Sequence, residues 1–385
     1  MKILSYLNIS NVDDIESDSG YIFNYTLAKA FSKLNCDYRI ILPYVIKDCS
    51  SRFCESGKYF VDMGCTKYEA RYHFEWEKVL SIIINFQPDV IFLNQVEFTA
   101  TFRVLLDVNG LKNVKIFTYC HYPAIHLASN DEAIIDYTLD DNNIGGNIVF
   151  NILSAVNIAD VFAIQSDFAK NLLLSFARKH NFQLDKEIHI IEPAYDENLY
   201  LPINRENNGN KVLYNHRLYD SYGTSDLIKL ISENSEIEFV ITDPMSNRRK
   251  ERSVYNNSPQ INREILLSYS NVTVIDGGNR SEYIKAIDTC KIAIAPHRKA
   301  CVWSMSIIDC YCRNIPVIGP AMAVFPEMIP ISLLYNNYEE ELCLINKLLT
   351  DHLFFGKSLE QSRKLLTTIS PEMTARKMIK LISLL

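Results

Sequence analysis

The segment IAIAPHRKACVWSMSIIDCYCRNIPVI, residues 292–318, carries the pattern that decides the fold. An apolar run at 292–295 is followed by a basic loop, a helical-period stretch at 304–313 and a second apolar run at 317–318. Short apolar runs that alternate with helical-period stretches are typical of parallel strands joined by crossover helices. The segment therefore predicts a strand, a helix and a second parallel strand, in that order.

The same alternation extends over the whole chain of 385 residues. In the first half, strands are predicted at 3–7, 38–42, 90–93, 115–119, 161–164 and 189–191, and helices at 21–34, 76–85, 145–158 and 167–179. After a polar loop, strands are predicted at 211–215, 238–241 and 272–275, and helices at 224–232, 281–288, 339–350 and 373–385. We expect an α/β protein with two Rossmann-like domains, 1–203 and 204–370, facing each other across a cleft. A terminal helix, 371–385, is expected to pack back on the first domain.

The composition excludes several classes of protein. A net charge of −7 provides no global attraction to nucleic acid or to an anionic membrane. The densest basic run, Arg248-Arg249-Lys250-Glu251-Arg252, is more typical of a solvated loop than of a polyanion contact. Ten cysteines are scattered without a CxxC pair, and no apolar segment is long enough to span a membrane. These features predict a soluble, cytoplasmic protein with free thiols, no metal site and no membrane span.

Two clusters in the first half are candidates for ligand binding. Asp18, Ser19 and Gly20 precede the first helix, where a glycine lets backbone amides approach a phosphate or sugar oxygen. A helix N-cap at Ser19 is the alternative interpretation. His121 and Tyr122 follow a predicted central strand, where the histidine can donate a hydrogen bond to a hydroxyl. A core histidine bonded to backbone is the alternative.

Two further clusters lie in the second half. Arg217 closes the first strand there, and its forked guanidinium can neutralise a diphosphate; a surface arginine is the alternative. Arg298 and Lys299 lie in the basic loop before a helix that opens near Ser304, a combination typical of a pyrophosphate site. Asp309 lies in the middle of that helix, where its carboxylate needs either sugar hydroxyls or an internal salt bridge.

Arranged in this order, the motifs resemble those of the retaining glycosyltransferases with the GT-B fold, group 4. The Gly-Arg-Leu and Lys-Gly that bind phosphate in that family match His216-Arg217-Leu218 and Tyr222-Gly223. Its glycine-containing strand-loop segment is similar to Asp276-Gly277-Gly278. Its Glu-x7-Glu helix with Gly-x-Pro-Val-Ile falls on residues 301–318, with Asp309 in place of the second Glu.

The resemblance implies that the first domain binds the acceptor and the second a nucleotide-diphosphate sugar. The implied donor contacts are Gly20, Arg217, Tyr222, Gly278, Arg298, Cys301, Trp303, Ser304, Met305 and Asp309. The implied acceptor contacts are Asp18, Ser19, His121 and Tyr122, and the implied catalytic residues are Arg217, Lys299 and His121. In such sites fixed positive groups stabilise the leaving diphosphate without a protein nucleophile, and the anomeric configuration is retained.

The expected substrate is a UDP- or GDP-linked sugar, and no separate cofactor is expected. The chain contains no Asp-x-Asp, the carboxylate pair that usually clamps a metal on a diphosphate, so metal independence is expected.

Three positions depart from the family pattern. Tyr222 replaces the phosphate-binding lysine, so Arg217 and the basic loop must hold the diphosphate. Cys301 replaces the first Glu, which removes the carboxylate that contacts the donor sugar. Asp309 is shorter than the second Glu but can still chelate ribose hydroxyls. An unusual donor sugar and lost activity would each account for Cys301.

The sequence leaves the acceptor open. The string Asn215-His216-Arg217-x-Tyr219-Asp220 resembles the corresponding motif of glycosyltransferases that decorate queuosine in tRNA, and phage enzymes that glycosylate hydroxymethylated DNA bases share the GT-B fold. A hydroxylated base in DNA or tRNA and a cell-envelope polysaccharide or lipopolysaccharide are the two acceptor classes. A sugar-nucleotide epimerase and an inactive sugar-nucleotide-binding module are the alternatives from other classes.

Overall fold

The computed structural model divides the chain into two compact units. It describes residues 1–9, 15, 18–49, 57–64, 69–128, 130–135, 145–202, 210–243, 256–276 and 280–385. The first unit comprises Met1–Ala194 together with Ile369–Leu385, and the second comprises Tyr195–Thr368. The division therefore falls nine residues before the predicted end of the first domain at 203, and the end of the chain belongs to the first unit.

The first unit is built on a parallel sheet of seven strands, in the order β3-β2-β1-β4-β5-β8-β9. These strands are β1 Lys2–Tyr6, β2 Asp37–Pro43, β3 Lys58–Val61, β4 Val90–Leu93, β5 Lys115–Cys120, β8 Val161–Ile164 and β9 Ile188–Ile190; β6 Ile125–Leu127 and β7 Ala133–Ile135 form an antiparallel hairpin. The helices are α1 Ser19–Lys33, α2 Glu69–Tyr72, α3 Trp76–Phe86, α4 Thr99–Val108, α5 Gly145–Ile158, α6 Asp167–Lys179 and α14 Pro371–Ile382. The strand order reverses between β1 and β4, and ligands of such sheets bind beyond the carboxyl ends of the strands at this point.

The second unit repeats the plan with six parallel strands in the order β12-β11-β10-β13-β14-β15. The strands are β10 Lys211–Tyr214, β11 Phe239–Asp243, β12 Val272–Asp276, β13 Cys290–Ile294, β14 Val317–Pro320 and β15 Leu334–Tyr335. The helices are α7 Thr224–Glu233, α8 Ser258–Leu267, α9 Arg280–Asp288, α10 Met305–Cys312, α11 Phe325–Met328, α12 Tyr338–Thr350 and α13 His352–Thr368. Here the order reverses between β10 and β13, which are the strands that precede the two predicted phosphate-binding loops.

Local sequence explains why these elements form. Every residue of β4 is buried, as is every residue of β8, because a parallel sheet is covered by helices on both faces. Helix α6 begins where the Ser166 hydroxyl accepts from the Ala169 amide at 3.1 Å, and its last turn carries Arg178 and Lys179. Buried residues at helical spacing then attach α6 to the core; they are Ala169, Leu172, Leu173, Phe176 and Ala177.

The last helix, α14, packs against α1. Its buried residues Ala375, Met378 and Ile382 belong to the same apolar cluster as the buried face of α1. Outside this cluster, the Lys377 ammonium lies 2.6 Å from the Glu192 carboxylate. The packing explains why the end of the chain completes the first unit, since an exposed apolar stripe on α14 would cost stability.

The α/β fold class predicted from the sequence is confirmed, but several elements were missed. Edge strand β3 was missed because only Val61 of its four residues is buried, so the strand carries almost no apolar signal. Helix α13 was missed because its buried residues are largely polar, including Ser358, Ser362 and Arg363. In the described part of the chain no helix combines the length and apolarity needed to cross a membrane.

Candidate functional site

The turn before α1 is organised by Asp18. The Asp18 carboxylate accepts from the Tyr21 amide at 2.9 Å, so Asp18 is the N-cap and Ser19 is the first residue of the helix. The N-cap therefore lies one residue before Ser19, the residue considered as the cap from the sequence. A Cβ at Gly20 would lie 3.2 Å from the Asp18 carboxylate and 3.3 Å from the Leu7 side chain. These close contacts within the turn are sufficient to explain why a glycine occupies position 20.

His121 follows β5 and is held by its neighbours on both sides. Its Nε2 lies 3.0 Å from Asn94 Oδ1, which follows β4. The rings of Phe23 and Tyr119 flank the imidazole, with centroids 4.9 Å and 4.7 Å away. Burial lowers the pKa of His121 to about 4, so the ring is neutral at physiological pH. The ring bonds a side chain rather than backbone, unlike the core histidine considered from the sequence, and Tyr122 beside it is half-buried.

Sequence reasoning missed the polar residues behind His121. Asn94 donates to Asn24 Oδ1 at 2.9 Å, and the hydroxyls of Ser5 and Tyr38 donate to the same oxygen at 2.7 and 2.9 Å. All four residues are buried. Each of these residues is a polar residue inside an apolar stretch, which is the only sign of them in the sequence. Because they are far apart in sequence, nothing there indicates that they form one network.

Arg217 follows β10 and is half-buried. Among the described residues no side chain or carbonyl forms a hydrogen bond or ion pair with its guanidinium. The preceding His216 is buried, and burial together with the Arg298 charge lowers its pKa to about 3. The imidazole is therefore neutral, and the positive charge at the end of β10 belongs to Arg217.

The loops after β10 and β13 are packed against each other. The Arg298 guanidinium stacks on the Tyr222 ring with 4.7 Å between the guanidinium carbon and the ring centroid. Gly223 has φ +71°, and a Cβ there would lie 2.4 Å from the His297 Cβ. Only glycine permits this approach, which brings predicted donor residues Tyr222 and Arg298 together. Lys299, next to Arg298, is exposed.

The segment that enters α10 contains Cys301, Trp303, Ser304 and Met305. Ser304 occupies the N-cap position of α10, and its side chain makes no cap bond to the first-turn amides. The Cys301 thiol is buried and donates to the Trp303 carbonyl at 3.5 Å, and burial raises its pKa to about 11. Cys301 thus provides a neutral thiol at the position where the glycosyltransferase family that the motifs resemble has a carboxylate. The indole nitrogen of Trp303 is buried without a hydrogen-bond partner among the described residues.

Asp309 lies in α10 and forms the internal salt bridge that the sequence left as an alternative. Its Oδ2 accepts from the Tyr283 hydroxyl at 3.0 Å and lies 3.5 Å from the Arg280 guanidinium. Arg280 also pairs with Asp196 at 3.4 Å, and Asn215 donates to Tyr283 at 3.0 Å. Burial raises the pKa of Asp309, and the Arg280 charge opposes this rise. Arg280 and Tyr283 were not anticipated, because they lie on α9, a helix for which the sequence predicted no site residue.

A second buried acid connects to the β13 loop. The Tyr335 hydroxyl donates to the Glu341 carboxylate at 2.9 Å, and His297 Nε2 lies 2.8 Å from the same hydroxyl. Burial raises the pKa of Glu341 from 4.5 to about 7. The chain of contacts ends at His297, the residue on which Gly223 packs.

Two predicted features lie outside the described residues: Gly278 and the basic run 248–252. Within the described part, no three His, Cys, Asp or Glu side chains are grouped so that they could hold a metal ion. The described cysteines Cys36, Cys120, Cys290, Cys301, Cys310, Cys312 and Cys343 are free thiols.

Comparison with solved structures identifies the fold. A glycosyltransferase from Rickettsia africae is 15% identical with a TM-score of 0.68, over 99% of this chain and 97% of that one. Sucrose-phosphate synthase from Thermosynechococcus elongatus is 13% identical with a TM-score of 0.72, over 99% and 98%. HepE of Anabaena in complex with UDP-glucose is 11% identical with a TM-score of 0.70, over 100% of both chains. No protein-family model and no curated protein matches the sequence. The chain thus has the GT-B fold predicted from its motifs.

Stability should depend on pH through Glu341. A carboxyl whose pKa is higher in the folded than in the unfolded chain loses stability as pH rises between the two values, here from about 4.5 to about 7. Glu341→Gln should therefore unfold with a free energy about 3 kcal/mol higher than the parent at pH 8 and nearly equal to it at pH 4.5. Urea titrations at the two pH values measure the difference.

The neighbouring Glu340→Gln is the matched control. Hydrogen bonds from Asn336 lower the pKa of the exposed Glu340, so its replacement should lower stability at pH 8 instead of raising it. A Glu341→Gln variant that is less stable than the parent at pH 8 would show that the carboxylate is not destabilised by burial.

Proposed function

We propose that this protein is a glycosyltransferase that moves a sugar from a nucleotide-diphosphate sugar, with UDP as the first nucleotide to test, to an acceptor hydroxyl. The observation that carries the proposal is Arg217, a half-buried guanidinium without a partner among the described residues, at the carboxyl end of β10. An unpaired, partly desolvated cation is costly unless a ligand supplies the anion. The likeness to glycosyltransferases, including one solved with UDP-glucose, supports a sugar diphosphate as that anion.

The proposed reaction needs positive groups but no protein nucleophile. The bond from the anomeric carbon to the diphosphate oxygen breaks, and a bond to the acceptor oxygen forms on the same face, with retention. The acceptor proton goes to the departing phosphate oxygen. Arg217, Arg298, Lys299 and the amino end of α10 would stabilise the diphosphate as its charge develops.

The remaining donor contacts are proposed from the start and the middle of α10. Trp303, Ser304 and Met305 would border the sugar and the phosphates. Asp309 would bind the ribose through the carboxylate oxygen that Tyr283 and Arg280 do not use.

Cys301 separates the proposal from one of its rivals, the sugar-nucleotide epimerase. As a neutral thiol it cannot act as the carboxylate that an epimerase needs beside the sugar ring. Incubation with labelled sugar nucleotides distinguishes transfer or slow hydrolysis from ring inversion, and both from binding without turnover.

Replacing Arg217 should abolish most activity. Arg217→Gln removes a charge-assisted contact to a desolvated diphosphate, which costs on the order of 3 kcal/mol, so transfer or donor hydrolysis should fall at least about 100-fold. Arg217→Lys should recover only part of this, because a lysine lacks the forked geometry. Arg376→Gln, at an exposed arginine of α14, is the control. Unchanged UDP affinity and turnover in Arg217→Gln would remove this residue from the site.

Replacing Asp309 should weaken nucleotide binding more than replacing Asp196. Both carboxylates pair with Arg280, so Asp309→Asn and Asp196→Asn each remove one of its ion pairs. Only Asp309→Asn also loses a carboxylate oxygen for the ribose. Calorimetric titration with UDP should show a loss of about 10-fold for Asp309→Asn and little change for Asp196→Asn. Equal losses would assign Asp309 to the salt bridge alone.

Salt dependence should identify the acceptor class. A hydroxylated base in DNA or tRNA would require phosphate contacts, with the run 248–252 as first candidate, and its KM would rise steeply with salt. The net charge of −7 favours an uncharged glycan. We therefore expect the acceptor KM to change little between low and physiological salt. A steep rise, reproduced at low salt when two of these charges are reversed, would establish the nucleic-acid acceptor instead.

A further inference from the structure

Asn24, on α1, is the centre of a buried network that leads to His121. Its Nδ2 donates to the Gly20 carbonyl at 2.8 Å. Because a carbonyl oxygen only accepts, this contact assigns the NH2 group to that side of the carboxamide and Oδ1 to the other side. Oδ1 accepts there from the hydroxyls of Ser5 and Tyr38, at 2.7 and 2.9 Å.

Asn94 lies between Asn24 and the imidazole of His121 and forms a hydrogen bond with each. Its side chain lies 2.9 Å from Asn24 Oδ1, which has no hydrogen to donate, so the Asn94 atom facing it is the NH2 group. The Asn94 oxygen therefore faces Nε2 of His121, at 3.0 Å. Since this oxygen only accepts, Nε2 carries the hydrogen. The carbonyl of Gly20 thus determines the tautomer of His121 through two carboxamides.

The second ring nitrogen, Nδ1, is left as an acceptor. No described residue donates to it, and His121 as a residue is half-buried rather than fully buried. Phe23 and Tyr119 hold the ring edges, and Gln165, which follows β8, donates to the His121 carbonyl. The backbone and the ring are both held in place, so Nδ1 presents its lone pair in a fixed direction.

We propose that Nδ1 of His121 accepts a hydrogen bond from a hydroxyl of the acceptor, and that Asn24 and Asn94 are positioning residues that set this polarity. The proposal rests on the proposed glycosyltransferase function, and it reverses the donor role expected for His121 from the sequence. A lone pair attracts a hydroxyl hydrogen and repels a phosphate or carboxylate oxygen. The position therefore takes a neutral, hydroxyl-bearing group and rejects an anion.

The tautomer is measured on the full chain without any ligand. In protein carrying ¹⁵N-labelled histidine at pH 7, His121, assigned by the loss of its signals in His121→Gln, should show a protonated Nε2 and an unprotonated Nδ1. The Nε2 proton should be visible because Asn94 protects it from solvent. In Asn94→Leu this proton signal should disappear and the two nitrogen shifts should move toward each other, whereas the exposed Asn85→Leu should leave both unchanged. A protonated Nδ1 in the parent overturns the assignment.

The ligand is tested on the UDP-loaded protein with glucose as the neutral hydroxyl-bearing probe and sulfate, which has no hydrogen to donate at pH 7, as the anionic one. Glucose should shift the Nδ1 resonance saturably, sulfate should not, and Asn94→Leu should lose the response to glucose while UDP affinity stays within about 2-fold. A response to sulfate, or none to glucose, overturns the proposal. Failure of the parent to bind UDP would contradict the proposed donor. That failure can be distinguished from a failure of the His121 proposal, because the tautomer is measured without any ligand.

Discussion

In both units, the candidate residues depend on one constraint, the common direction of the strands in a parallel sheet. Because all carboxyl ends of such a sheet lie at one edge, the residues just after β4, β5 and β8 become neighbours: Asn94, His121 and Gln165. In the second unit the loops after β10 and β13 meet in the same way, at the point where the strand order reverses. Residues as far apart in sequence as Tyr222 and Arg298 thereby form contacts that no local pattern in the sequence encodes.

The sequence therefore predicted the strands and the loops but not the contacts between them. Fully buried strands such as Val90–Leu93 stand out as apolar runs, and Arg217 could be placed at a strand end because that end is itself a local signal. The partner of Asp309 could not be named, since Arg280 lies on another helix and nothing marks it in the sequence. The polarity of His121 depends on Asn24, 97 residues earlier, and follows only from the hydrogen-bond network.

Burial keeps titratable groups in both units neutral. The rings of His121 and His216 are neutral because desolvation lowers their pKa, whereas Cys301 remains a thiol because desolvation raises its pKa. In the described loops after β10 and β13, the positive charge is therefore carried by the guanidinium groups of Arg217 and Arg298 and by the exposed Lys299. Fixed cations among neutral hydrogen-bonding groups are the arrangement that would suit the proposed diphosphate.

Arg217 differs from other buried arginines of the second unit in having no hydrogen-bond or ion-pair partner among the described residues. Arg313 is bound to the Asp288 carboxylate at 2.8 Å, Arg363 donates to the Tyr311 carbonyl at 3.2 Å, and Arg280 lies between two aspartates. Each of these cations recovers within the fold part of the hydration that burial removes. Arg217 is half-buried and recovers nothing from the described residues. A fold that pairs these three arginines would gain stability by pairing Arg217 as well, which is consistent with the anionic ligand proposed for it.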